Sequence, residues 1–224
     1  GLGAALGTRL GHHPLVLELM QPLLRPEVSA PATEQQQAAV YNQSGIAWSD
    51  LGEHEKAAAA YEAGLLLDVE AERWPNVVVG LLNIATPEAQ GAAVAADATA
   101  LAERLAEALG QSALVSAAHV RRAEEQIRLG NFDGAAALLD SALRDWGSLH
   151  VNMQCRHAIA RWDIAYWQGR AGVALWEQCY AVAEETGSVP GIGAMLARRA
   201  LWRADEGDAE HALEAVNESI RLSN

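Results

Sequence analysis

Apolar and small residues recur three and four positions apart in blocks of helical length along most of the chain, and the blocks stop at glycines. That spacing is the signature of amphipathic helices rather than strands. The clearest pair runs from Ala38 to about Val69. Tyr41, Ile46 and Trp48 belong to a first helix whose pattern halts at Leu51-Gly52. A second helix begins near His54 and carries Ala57, Tyr61 and Gly64 on one face. Small side chains at Gly45, Ala57 and Gly64 allow two helices to cross closely, and Trp48 and Tyr61 fill the space around the crossing.

The same order of features returns downstream. Ser116 to Trp146 has Ala123 at the small position, a turn at Leu129-Gly130-Asn131-Phe132, then Ala135, Leu139 and Ala142. Gly193 to Leu222 has Ala200, a turn at Glu206-Gly207-Asp208, then Ala212, Val216 and Ser219. The stretch from about Met153 to Thr186 is looser: Ala160 is its small residue, Gly172, Trp176 and Cys179 fit its second helix, and the turn Trp167 to Gly172 is irregular. In the stretch from about Val78 to Gly110, Leu82-Asn83-Ile84-Ala85 forms the first-helix core and Thr86-Pro87 interrupts it. Gly110, Gly147 and Gly187 each end a second helix, where a left-handed cap residue is wanted. They are spaced by 37 and 40 residues.

This grammar resembles the tetratricopeptide repeat, with Gly45 at the small first-helix position, Trp48 at the aromatic one, Gly52 at the turn, and Ala57, Tyr61 and Gly64 at the second-helix signature. The period near 40 is similar to the long repeats of bacterial regulators and of signal-transduction ATPases with numerous domains. The resemblance implies an all-α fold, a right-handed α-solenoid of about five antiparallel helix pairs. It spans residues 38–224, with units near 38–71, 78–110, 116–147, 153–187 and 193–222. It also implies a concave groove lined by first helices. By the family's register the groove-facing positions are Asn42, Ile46 and Ser49, then Val120, Glu124 and Ile127, then His157, Arg161 and Ile164, then Leu201 and Asp205. The Lys/Asn/Arg clamp that chaperone adaptors use for a peptide carboxylate is missing, so the implied role is a non-catalytic scaffold for an extended or helical peptide.

Residues 1–37 do not follow the repeat. Leu15, Leu19 and Leu23 share a helical face after Pro14, which suits a first helical position. Pro22, Pro26 and Pro31 with Ser29-Ala30 read as a linker, and Thr33 or Ser29 caps the next helix. The run Leu10-Gly11-His12-His13-Pro14-Leu15 resembles the glycine–x–proline–leucine motif of NB-ARC nucleotide-binding ATPases, in which the proline, here Pro14, lies against nucleotide. The chain has no GxxxxGK[ST] loop to hold phosphates. The resemblance therefore implies an ATPase upstream, with this chain as its ligand-sensing arm for a protein or small-molecule inducer. A start at Gly1 is in keeping with a piece of a longer protein.

Composition narrows the classes further. About a fifth of the residues are alanine, the best helix former. A net charge of −13 and a pI near 4.9 exclude direct nucleic-acid binding and anionic membrane surfaces. Cys155 and Cys179 are too few for a disulfide framework and read as reduced, cytoplasmic thiols. His150, Cys155 and His157 lack the four ligands and short paired spacing of a zinc site, and His12-His13 reads as a helix start. The acidic pairs Glu124-Glu125, Glu184-Glu185 and Asp205-Glu206 read as solvated faces, and no GxSxG nucleophile is present, so neither catalysis nor a cofactor or metal is expected. Seven tryptophans stand against one phenylalanine. Trp176 occupies the repeat's own aromatic slot, whereas Trp162 and Trp167 have none, so at least one of them is expected in the groove beside Arg161 and His157. Ile220 and Leu222 on the last helix look apolar enough to want a neighbour, through a truncated array or a homodimer contact.

Overall fold

A computed structural model describes residues 12–24, 33–85 and 90–222, and among them there are helices and no strands. The α-helices are α1 (His13–Met20), α2 (Glu34–Asp50), α3 (His54–Glu70), α4 (Trp74–Ile84), α5 (Ala92–Ala108), α6 (Ser112–Arg128), α7 (Phe132–Ala142), α8 (Val151–Trp167), α9 (Val173–Thr186), α10 (Val189–Asp205) and α11 (Ala209–Leu222). Short 3-10 segments follow α1 (Gln21–Leu24) and α7 (Leu143–Ser148). The starts of α2, α4, α6, α8 and α10 lie 38 to 40 residues apart. The described residues fall into two compact units, His12–Arg121 and Arg122 onward. Within each, helices pack against their neighbours in sequence.

One stop signal is used repeatedly. At the ends of α2, α5, α6, α8, α9 and α10 the chain passes through a glycine with positive φ: Gly52, Gly110, Gly130, Gly169, Gly187 and Gly207. The amide of the following residue then reaches back to a carbonyl in the last turn, as Glu53 does to Trp48 (2.9 Å) and Arg170 to Ala165 (2.7 Å). This closes the helix and satisfies carbonyls that would otherwise be orphaned. Gly147 departs from the expectation, because it has no positive φ and lies inside the 3-10 segment after α7. The chain reverses there by tightening, with a kink at Asp145 and an extended Leu149. After α3 the left-handed place falls to Glu72, φ 53°, the one non-glycine with positive φ among the described residues. Arg73 holds that turn: its Nε donates to Asp68 Oδ1 (2.7 Å) and its Nη2 to the Leu67 carbonyl (3.0 Å).

In the first unit, α2 and α3 interlock through residues that have no side chain to spare. A Cβ on Gly45 would stand 2.6 Å from the Tyr61 ring, and one on Gly64 would stand 3.2 Å from the Ala38 carbonyl. Thr33 caps α2 reciprocally with Gln36 (3.2 and 2.8 Å). Helix α1 covers the open side of α2, with Val16 and Leu17 buried against Ala47, and with Met20 and Trp48 alongside. Leu15 and Leu19 on the other face of α1, and Leu23 in the 3-10 segment after it, are exposed. Both stripes of α1 are apolar, and only the partner helix selects between them. Helix α4 is short, and Arg121 closes its end by donating to the carbonyls of Leu82 (3.0 and 2.7 Å) and Ala85 (3.2 Å). Thr86-Pro87, Gly11, Pro26, Pro31, Ser29 and the terminal Ser223-Asn224 lie outside the described residues.

The second unit is organised around Cys155, Ala158, Trp162, Trp176, Cys179, Ala183, Met195 and Leu196, all buried together. Trp176 donates from its indole to the Met195 carbonyl (3.3 Å) and stacks on Tyr180 (4.6 Å between centroids). At the end of the unit only Ala215 of α11 is buried, and Leu213, Val216 and Ile220 are exposed.

Two substitutions test this account. Gly45→Ala is expected to lower stability by about 1–3 kcal/mol, because the Tyr61 ring must move out of a packed crossing. Glu72→Gly is expected to raise it by about 1 kcal/mol by relieving a left-handed residue. Urea unfolding followed by circular dichroism reads both.

Candidate functional site

The first helices carry most of the chemistry-bearing positions, and polar bonds tie neighbouring first helices together within each unit. In the first unit the Asn83 amide donates to Asn42 Oδ1 (2.7 Å). In the second, Arg156 of α8 pairs with Glu124 of α6. Arg198 of α10 binds Asp163 of α8 bidentately, at 2.6 and 2.7 Å. The Tyr166 hydroxyl donates to Asp205 across the same pair of helices, and that bond to the carboxylate pushes the phenol's pKa upward. Bidentate guanidinium–carboxylate pairs fix relative orientation as well as adding energy. Asn42, Glu124 and Asp205, expected as partner contacts, are therefore bonded to their own neighbours. A spacing rule identifies the face a residue occupies, not which atom from the next helix meets it there.

Helix α8 separates two clefts because its faces differ. Asp163, Tyr166 and Trp167 turn towards α10, where they form a cleft of about 330 Å³ with Trp162, Ala197, Arg198 and Leu201. Trp167 is 64% exposed, sits edge-on to Tyr166 (5.2 Å), and has the half-exposed Leu201 on the opposite wall. Trp162 is the correction: at 1% exposure it is a core residue, packed edge-on against Trp202 at 5.6 Å. Of the two tryptophans without a repeat slot, one fills the core and the other stands at the surface.

His157, Arg161, Ile164 and Ala165 turn the other way, where they meet α7 and the start of α9 around a cleft of about 460 Å³. His157 and Ile164, expected in the groove, are 4% and 5% exposed and form its floor. The His157 Nε2–H donates to the Leu139 carbonyl (3.1 Å), and the Trp146 ring lies edge-on to the imidazole (5.0 Å). Burial lowers the His157 pKa, and the nearby Arg161 charge adds to that, against opposing effects of the Leu139 bond and Asp140. Arg161 is exposed at the rim. Ile46, Ser49 and Ile127 are half-buried, whereas Val120 is fully buried.

A third cleft, of about 230 Å³, lies in the first unit between α2, α3 and α4, with Asn42, Asp68 and Asn76 among its polar walls. Pro14 is exposed in the first turn of α1. His150 caps α8, accepting from the Asn152 amide at 3.3 Å, and Cys155 meets the Thr186 hydroxyl at 3.0 Å. Together with His157 on Leu139, these three side chains point to three different partners. Among the described residues no group of three His, Cys, Asp or Glu is placed to hold a metal ion. Both cysteines are buried and free, and burial raises the Cys179 thiol to about 11. No described helix is long and apolar enough to cross a membrane. No family model matches the sequence, and no curated protein shows significant similarity to it.

The buried imidazole makes stability pH-dependent with a definite sign. Above the ordinary value of 6.5, His157 is neutral in both folded and unfolded chains and contributes nothing to the slope. As pH falls below that value the unfolded chain takes up a proton that folded His157 refuses, so stability is lost. His157→Gln keeps a donor for Leu139 and cannot titrate. Between about pH 7.5 and 5 its melting temperature is expected to fall less steeply than that of the unsubstituted protein.

Proposed function

We propose that this protein is a non-catalytic binding module of the tetratricopeptide type, a right-handed solenoid that holds a protein or peptide along the face made by its first helices. The observation that carries the reading is Trp167, a large aromatic side chain 64% exposed on a first helix, with Leu201 facing it across a cleft. An exposed tryptophan beside an apolar wall is how interface anchors are built. The surrounding helices are braced by the Asp163–Arg198 and Tyr166–Asp205 bonds. Such bracing supplies a preformed surface and lowers the ordering cost of association. The chain's charge of −13 favours a partner segment that combines an apolar anchor with Lys or Arg.

A second reading, a ligand-sensing arm of a nucleotide-switched signalling ATPase, is favoured by one observation: the 460 Å³ cleft on the other face of α8 has the size of a small-molecule site. In that reading the ligand biases one arrangement of the helices over another.

Panning a displayed random-peptide library against the immobilised protein tests the first reading. Enriched peptides are expected to share an apolar anchor flanked by basic residues, and Trp167→Ala is expected to weaken their binding by about tenfold or more. Enrichment that survives Trp167→Ala together with Leu201→Asp would sink it.

A further inference from the structure

We propose that the open cleft lined by α7, α8 and the first turn of α9 is a binding site for a small monocarboxylic acid with an apolar body. Its lining has two parts. Leu139, Ile164 and Ala165 make a buried apolar floor, and Leu143 and Leu175 stand as walls. At the rim are two guanidinium groups, Arg161 from α8 and Arg170 from the turn after it. The turn itself puts Arg170 there. Gly169, at φ 67°, lets the chain fold back so that the Arg170 amide bonds the Ala165 carbonyl (2.7 Å), which brings its side chain over the end of α8.

Like Arg144, which bonds Ser141, and Arg199, which lies over the Trp176 ring, these two arginines are not paired with a carboxylate among the described residues. Elsewhere in the same unit, Arg156, Arg198 and Arg203 each lie within ion-pair distance of a carboxylate: Glu124, Asp163 and Asp208. Among the described residues, Arg161 reaches the neutral amide of Gln178, at 3.5 Å, and Arg170 the neutral amide of Gln168. Both are exposed. In a chain with 29 acidic residues against 16 basic ones, two guanidinium groups bonded to amides at the mouth of one apolar cleft are an unusual local excess of positive charge. A carboxylate displaces a neutral amide from guanidinium readily, because the bond becomes charge-assisted and bidentate.

The remaining charges set the limit on the ligand. Asp140 lines the same cleft and opposes an anion. His157 on the floor is held neutral by its burial and its bond to Leu139. Two positive groups against one negative suit a single carboxylate better than a phosphate dianion, and the apolar floor asks for a hydrocarbon body. A volume of about 460 Å³ lies within the usual range for small-molecule sites.

Octanoate is the probe, titrated into the full chain by calorimetry, with octan-1-ol as its uncharged match. Octanoate is expected to saturate a single site, with octan-1-ol at least about tenfold weaker. The double variant Arg161→Gln with Arg170→Gln should lose about tenfold or more in octanoate affinity. Asp140→Asn should gain severalfold, which a merely structural change at the rim would not produce. Arg128→Gln, an exposed arginine on α6, and Trp167→Ala, on the opposite face of α8, should leave octanoate binding unchanged; circular dichroism melts check that each variant is folded. Equal affinity for acid and alcohol, unchanged binding in the double arginine variant, weaker binding in Asp140→Asn, loss with Trp167→Ala, or no saturation by about 10 mM would each overturn the assignment. Because the Trp167 variant separates the two faces, this site can fail while the peptide-binding reading stands, and the reverse.

Discussion

Helices α2 and α3 come together where each in turn gives up a side chain to the other. Gly45 lies under the Tyr61 ring and Gly64 against the backbone of Ala38. Such close crossings leave no slack, so the large residues must go into the hollows beside them, as Tyr61 does. In the second unit the buried positions alternate in the same sense, with Ala158 and Ala183 among the small residues and Trp162 and Trp176 among the large ones. Interiors packed to crystalline density tolerate neither an added methyl nor a lost ring. The left-handed glycines that end the helices serve the same constraint, because a hairpin can close at short distance only if its turn is tight.

Once the hairpins are closed, what remains on the first helices is a set of polar and aromatic side chains at fixed spacing. Several of the polar ones bond the next first helix. Asn42 meets Asn83, Arg156 meets Glu124, and Arg198 meets Asp163, each pair joining adjacent first helices within one unit. Bonds of this kind add little net stability at a half-exposed surface. They do limit how neighbouring helices slide, and they leave conspicuous the few groups not used this way. Trp167 on one side of α8 and the Arg161–Arg170 pair on the other are among those groups.

A single helix can therefore divide two surfaces of opposite character. The face of α8 towards α10 carries Tyr166, Trp167 and the ion-paired Asp163, whereas the cleft on the face towards α7 is aliphatic and rimmed by Arg161 and Arg170. The division follows from the 3.6-residue period. Residues 157, 161, 164 and 165 fall together, while 163, 166 and 167 fall on the far side, with Trp162 between them facing inward.

The amino-acid sequence by itself determined that the chain is helical, where most helices stop, and which residues are small enough for close crossings. These are local matters: alanine content, a 3.6-residue pattern, a cap at Thr33 and glycines at Gly52, Gly110, Gly130 and Gly207 act within a few residues of where they stand. The packing role of Trp176 was equally legible, because it occupies a position that the pattern itself defines. Tertiary structure alone decided that Trp162 is interior while Trp167 is exposed, that α1 buries Val16 and Leu17 rather than its leucine stripe, and that Gly147 needs no left-handed turn. It alone decided that Asn42, Glu124 and Asp205 are taken by neighbouring helices, and that Arg170 joins Arg161 over a cleft. Each depends on which side chain arrives from a helix tens of residues away, and periodicity along one helix carries no record of that.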